Sequence, residues 1–513
     1  MFDVLIKGAM VLDGAGTEAF PADVGISGGK IEAVGELGGA GAGSVIEAGG
    51  RCLTPGFIDI HRHADAALFR PGWGAAELAQ GLTTVINGNC GLSLAPVCGE
   101  HEEEILRYLS PIVGELPEGR RFPSMASYLR EVVQELPAVN TFMLAGMGTI
   151  RACAAGFSDA PLSDGQYAQI HSLLESALSD GALGVSLGLG YAPECFYDTR
   201  GLIRALEPLR GSGLPVTVHM RQEGDGVVEA LREMLLVARE LRLKLEVSHL
   251  KAIGRRNWRK AVPEMLELIR IARAEGLDVM CDVYPYPAGS TQLIHVLPPE
   301  FQAGGTEVLT ELLRDRTQRE RMRERMLTGS DFENISLLVG FENIRATSLH
   351  LPENERFEGS SIAEIAQERG VSEFDALFDL LASERCAVSM IDFIADEEDI
   401  KDILRAPFSG VISDATYPTS GLLHPRVYGT FPRLIERYVC ELGVLSLPEA
   451  VKKVTSQPAE RFGLMTKGYI RPGYDADLCL FDPGSIHEPG SYKHPDIPPV
   501  GMDCVLISGR RVV

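Results

Sequence analysis

Apolar residues follow different patterns in different parts of the chain. Residues 1 to 53 alternate apolar and polar positions in short runs, "FDVLIKGAMVLD", "ADVGISGGKIEAVG" and "SVIEAGGRCLTPG", separated by glycine-rich turns. A period of two predicts a small antiparallel β unit. The texture returns in "KGYIRPGYDADLCLFD" and "CVLISGRRVV". Chain ends often lie close together, so residues 1–53 and 463–513 are expected to build one β-sandwich.

Between them, continuous apolar runs alternate with amphipathic helices. Runs at 57–60, 83–87, 140–145, 184–187, 215–219, 243–249, 277–283 and 410–414 predict buried parallel strands. "GDGVVEALREMLLVARELR" and "AVPEMLELIRIARAEG" space their apolar residues three and four apart, as helices packed on such strands do. The expected fold class is α/β, a TIM-like (β/α)8 barrel over residues 54–462. The alternation breaks between about 298 and 407, which predicts an insertion before the last barrel strand. There "LTELLRDRTQRERMRERML" reads as one highly charged helix, and "ENISLLVG" and "RCAVSMI" as further strands. "GELGGAGAG" reads as a loop.

Composition excludes some function classes. A formal net charge of −23 argues against a nucleic-acid partner, whose phosphates would be repelled. No apolar run reaches the length of a membrane span. The opening "MFDVLIKGAM" lacks a basic leader and a long apolar stretch, so a cytoplasmic location is expected. Ten cysteines without regular spacing read as reduced thiols.

Candidate chemistry lies at the C-terminal ends of the expected strands, where barrels of this kind carry their sites. "PGFIDIHRHAD" ends the first strand in His61 and His63, which share a face at spacing i, i+2. "INGNCG" places Cys90 after the second. "PVTVH" ends at His219 and "LEVSH" at His249, thirty residues or one βαβ period apart. "GVISD" ends at Asp414. Imidazole, carboxylate and one thiolate suit Zn²⁺, and Asp414 is placed to act as general base and acid. The competing role for Asp414 is a helix N-cap, but "DATYPTSG" is a poor helix start.

These motifs, with "GLTTVINGNCG", "GALGVSLGLGYAP", "VTVHMRQEG", "EVSHLK", "DVYPYPAGST", "HPRVYGTFPR", "TSQPAERFGL" and "RPGYDADLCLFDP", resemble the D-aminoacylase (N-acyl-D-amino-acid deacylase) family of the amidohydrolase superfamily over nearly the whole length. The resemblance implies zinc-dependent hydrolysis of N-acyl-D-amino acids. It implies that His61, His63 and Asp414 form one side of the metal site, and that Cys90, His219 and His249 hold the tightly bound zinc of the other. A second zinc would bind weakly. Many superfamily members bridge two metals with a strand-four lysine, but "LGVSLGLGY" has none, and Cys90 is the implied substitute. The same resemblance assigns Lys251 and Arg426 to the substrate carboxylate, and Tyr191, Tyr284 and Ser290 to further substrate contacts. Four positions depart from the family: Met147 in "GMGTIR", Glu194 and Cys195 in "YAPECFYDT", and Ala415 in "SDA". A Glu194 that points inward would disfavour an acidic side chain. The expected partner is a small molecule with a free carboxylate, with no membrane, and with self-association left open. Alternatives are a cyclic-amide hydrolase of the dihydroorotase or hydantoinase type, a deaminase, and a barrel that binds metal without catalysis.

Overall fold

The chain enters its main body at Phe57, one residue after a strand of a different sheet, Cys52–Pro55. In the computed structural model, which describes residues 1–513, that earlier sheet has eight strands. It unites Phe2–Val11, Phe20–Ser27, Lys30–Gly35, Ala42–Glu47 and Cys52–Pro55 with Leu478–Phe481, Met502–Ile507 and Arg510–Arg511. Leu478–Phe481 pairs antiparallel with Cys52–Pro55, so both ends of the chain enter one sheet. Inward residues such as Ile6, Val24, Leu53, Leu478 and Leu506 form a core separate from the main one. Their neighbours point the other way, and Cys479, Phe481 and Val505 pack into the main core instead, the period-two pattern at work.

The main body is built on parallel strands. Phe57–Asp59, Leu82–Asn87 and Asn140–Met143 pair in that order. Ala145–Gly146, Val185–Gly188, Pro215–His219, Lys244–Val247, Val279–Val283 and Ser409–Val411 continue the series. A parallel bridge between Arg62 and Ala415 joins the first strand end to the last, so the strands close as a barrel. Helices such as Val227–Leu241 and Ala261–Ala274 carry the crossovers, burying Leu231, Met234, Val262, Met265 and Ile269. The main core holds 108 buried residues. Burial on both faces explains why these strands read as unbroken apolar runs.

Between Val279–Val283 and Ser409–Val411 the chain leaves the barrel. Ala288–Gln292, Ile344–Thr347 and Ser389–Phe393 form a separate antiparallel sheet with Ser389–Phe393 in the middle. Two expectations fail here. "ENISLLVG" is not a strand; Ile335–Val339 is a short helix. A brief apolar run has no period that separates the two, and tertiary packing decides. The charged segment is two helices, Gly305–Leu312 and Arg316–Thr328. The first ends at Leu312, and Asp315 caps the second by accepting from the Gln318 backbone N–H. No helix is long and apolar enough to cross a membrane, and all ten cysteines are free.

Candidate metal centre

His61 and His63 leave the first barrel strand toward one side, and Arg62 between them goes the other way. Arg62 is fully buried and pairs with Asp59, Glu77 and the Tyr417 hydroxyl. Asp59 in turn accepts from the His61 and Ser413 backbone N–H groups. A buried cation needs such partners, and this one fastens the His61–His63 turn to the end of the last strand.

Side chains far apart in sequence meet above that turn. His61 Nε2 lies 3.2 Å from Cys90 Sγ and 3.3 Å from Asp414 Oδ1. Cys90 Sγ is 3.5 Å from His249 Nε2, which is 3.2 Å from His219 Nδ1. His63 Nε2 approaches Asp414 Oδ1 at 3.3 Å. The ligand atoms of His61, Cys90, His249 and Asp414 all lie within 4.8 Å of one another, and so do those of His219, Glu223 and His249. His249 belongs to both groups. Glu223 escaped the sequence reading: it lies four residues past His219 in "HMRQE", beyond the strand, where no periodicity marks it.

The backbone is strained at this point. Of ten non-glycine residues with positive φ, three are here: Cys90 at 54°, His249 at 38° and Asp414 at 52°. Left-handed backbone is costly for residues with a Cβ and persists where the surroundings over-determine it. Asp414 caps no helix; the next one begins only at Arg426. Gly188, in strand four, explains why that strand offers no bridging side chain: a Cβ there would collide with the Cys90 carbonyl oxygen.

Burial sets the charge states. It lowers His61 to about 3 and His219 well below its ordinary value, keeping both imidazoles neutral. Burial also lifts the Cys90 thiol, and Asp414 and Glu223 add to the effect. For Asp414, burial is outweighed by Arg426 and His61, which hold its carboxyl well below the usual range. Arg426 Nη1 is 2.9 Å from Asp414 Oδ2. Neutral imidazoles and an ionised carboxylate are the forms that ligate metal, and a bound cation would stabilise a thiolate here. The buried Nδ1 atoms of His61 and His63 and Nε2 of His219 have no partner in the protein. Convergent donors of this kind fit a divalent metal ion.

A cleft opens over the cluster, lined by His63, Cys90, His219, His249 and Asp414. Lys251 lines it, its ammonium 2.7 Å from both Glu223 oxygens, and Glu223 Oε1 also meets His249 Nδ1 at 3.0 Å. Tyr284 lines it, with the Arg426 guanidinium 4.7 Å from its ring centroid. Tyr191 bonds Thr291 Oγ1 at 2.9 Å while its ring packs on His219, and Ser290 Oγ is 3.4 Å from Thr416 Oγ1. Met147 is fully buried and does not line the cleft. Glu194 does not point into it either. Its carboxylate accepts from the Gly188 N–H and packs behind the Cys90 loop at Gly91, where burial pushes it up to about 8. It therefore has no say over the substrate side chain.

The family model for amidohydrolases matches residues 44–182 and 352–513, more than half of the chain. A D-aminoacylase of Alcaligenes xylosoxydans xylosoxydans is 33% identical over 513 residues, covering 100% of this chain and 94% of that protein. The chain belongs to the amidohydrolase family. Within it, the D-aminoacylases are the group it matches along its full length. An N-acyl-D-aspartate deacylase of the same organism is also 33% identical, over 99% of this chain and 92% of that protein. Among solved structures, an N-acyl-D-glutamate deacylase of Bordetella bronchiseptica, complexed with zinc and a phosphonate mimic of the tetrahedral intermediate, has a TM-score of 0.85. It is 30% identical and covers 100% of this chain and 96% of that one.

Proposed function

We propose that this enzyme hydrolyses the amide bond of N-acyl-D-amino acids, releasing a carboxylic acid and the free D-amino acid. The observation that carries it is the convergence of imidazole, thiol and carboxylate donors from His61, Cys90, His249 and Asp414 within 4.8 Å, beside a cleft with Lys251. Full-length likeness to D-aminoacylases supports the stereochemistry.

His61, His63, Cys90, His219, His249 and Asp414 would hold zinc, one ion tightly and a second weakly. Zinc is favoured by the mixed nitrogen, sulfur and oxygen donors. When bound, it polarises the amide carbonyl and lowers the pKa of water to about 7. Lys251 and Arg426 hold the substrate α-carboxylate, Arg426 with its planar fork. Tyr191, Tyr284 and Ser290 line the substrate. Asp414 takes a proton as water oxygen bonds to the acyl carbon. It then gives that proton to the leaving nitrogen as the C–N bond breaks.

The finer fold assignment goes with this reading: a (β/α)8 barrel over 54–462 with an insertion of roughly 298–407, and a β-sandwich of residues 1–53 and 463–513. The single sheet shared by both ends supports the last point. A cytoplasmic location is part of the proposal.

The test is a screen of N-acetyl and N-formyl D- and L-amino acids with zinc-loaded enzyme, alongside metal analysis. Turnover of D compounds with stoichiometric zinc is expected. Turnover of L compounds alone, or of cyclic amides alone, overturns the assignment.

A further inference from the structure

Equal identity to a D-aminoacylase and an N-acyl-D-aspartate deacylase leaves the side-chain preference open. The cleft itself is more informative. Its chemistry comes from barrel strand ends, but one wall comes from the segment between the last two barrel strands. That wall carries Glu333, Ile335, Asp392 and Ile394, together with His295.

The side-chain charges of the cleft do not balance. Four acidic side chains line the cleft, Glu223, Glu333, Asp392 and Asp414, against one lysine and no arginine. Lys251 is engaged by both oxygens of Glu223, and Asp414 is paired with Arg426. Glu333 is 3.2 Å from His295 Nε2 and accepts from the Glu223 N–H. Asp392 alone has neither a hydrogen-bond partner nor an ion pair within the protein, although it is only 2% exposed. It lies in the central strand Ser389–Phe393, opposite Gly289. A Cβ at Gly289 would lie 2.9 Å from both Asp392 Oδ1 and Ile394 Cδ1, so the glycine leaves the carboxylate and its apolar neighbour open to the cleft. Buried carboxylates without partners are rare, because desolvation is uncompensated. Here burial raises the Asp392 carboxyl to about 6; His295 opposes the rise, Glu333 adds to it, and Lys251 and Arg426 oppose it further.

We propose that Asp392, with Glu333 beside it and Ile335 and Ile394 as apolar walls, forms a side-chain subsite for a D-amino acid with an aliphatic stem and a terminal positive charge, of the lysine or arginine class. The inference rests on the deacylase reading of the same cleft. A cationic end group supplies the partner that Asp392 lacks, and the stem packs on the isoleucines as long basic side chains do. A second carboxylate in this subsite would face Asp392 and Glu333.

The test compares kcat/KM for N-acetyl-D-lysine, N-acetyl-D-arginine, N-acetyl-D-leucine and N-acetyl-D-glutamate. The basic substrates should exceed the leucine derivative by about tenfold or more, the scale of one charge-assisted hydrogen bond, with glutamate poorest. Asp392→Asn should abolish that ratio. Equal or better turnover of leucine or glutamate, or an unchanged ratio in Asp392→Asn, overturns the subsite. So does a preference for glycyl-D-leucine over N-acetyl-D-leucine that matches the gain from lysine, since the charge would then be read on the acyl group. If no N-acyl-D-amino acid is hydrolysed, the deacylase reading has failed, and calorimetry with free D-lysine and D-leucine still decides the subsite. Tighter binding of D-lysine that is lost in Asp392→Asn supports it; equal binding overturns it.

Discussion

The barrel rim and the inserted segment line the same cleft but are built in opposite ways. On the rim, each chemical group is held by others: Arg62 anchors the His61–His63 turn, Glu223 joins His249 to Lys251, and Arg426 meets Asp414. Cys90, His249 and Asp414 on this rim keep left-handed backbone that only such mutual support sustains. On the inserted wall, the carboxylate of Asp392 is held by nothing but its strand. The difference teaches that the metal cluster is over-determined by its neighbours, whereas Asp392 sits on a part that can change without disturbing them.

Substitutions can break that contrast. The largest effect is expected at Asp414. Asp414→Asn should retain zinc by elemental analysis yet lose about 10²–10⁴ in kcat, the range for a general acid–base; near-normal rates would remove Asp414 from its role. Next comes Cys90→Ser, which should lower metal content sharply while leaving the fold intact by circular dichroism. Unchanged zinc would eliminate the thiolate as a ligand. Glu223→Gln should weaken metal affinity by about 10–100-fold, as loss of a hydrogen bond to a ligating histidine does. It should also raise KM through Lys251, and unaltered metal titration with unaltered KM would separate Glu223 from the centre.

The smallest effect concerns Glu194, behind the Cys90 loop. Its folded pKa of about 8 stands above the ordinary carboxyl value of 4.5. The unfolded chain therefore releases this proton first, and stability falls as pH rises from 4.5 toward 8. Glu194→Gln should narrow the drop in Tm between pH 5 and pH 8. An identical drop in both proteins would mean that the carboxyl titrates normally.

The rim was legible in the sequence because it repeats a period. Each of His61, Cys90, His219, His249 and Asp414 follows an apolar run, and the fold turns successive strand ends into neighbouring positions around a ring. Glu223 was hidden because it sits past a strand end, in a turn without pattern. Glu194 was misleading for a related reason: proximity in sequence to the cleft does not say which side of a loop a side chain takes. The inserted wall was read only in part: "RCAVSMI" reads as a strand and overlaps Ser389–Phe393, but its pairing partners were not legible. Ala288–Gln292 pairs with Ser389–Phe393 across about a hundred residues, and such pairing is a tertiary choice with no local signature. The one available clue was Asp392 itself, a charge in the middle of the apolar run "SMIDF".

The sheet that holds both chain ends bears on how the protein is made. Cys52–Pro55 is completed by Leu478–Phe481, about 420 residues later, and at a synthesis rate of about 5–20 residues per second the wait lasts tens of seconds. During that interval the nascent N-terminal strands carry an unpaired edge that invites other chains. Until the last strands arrive, that edge is a place where the newly made chain is open to pairing with others.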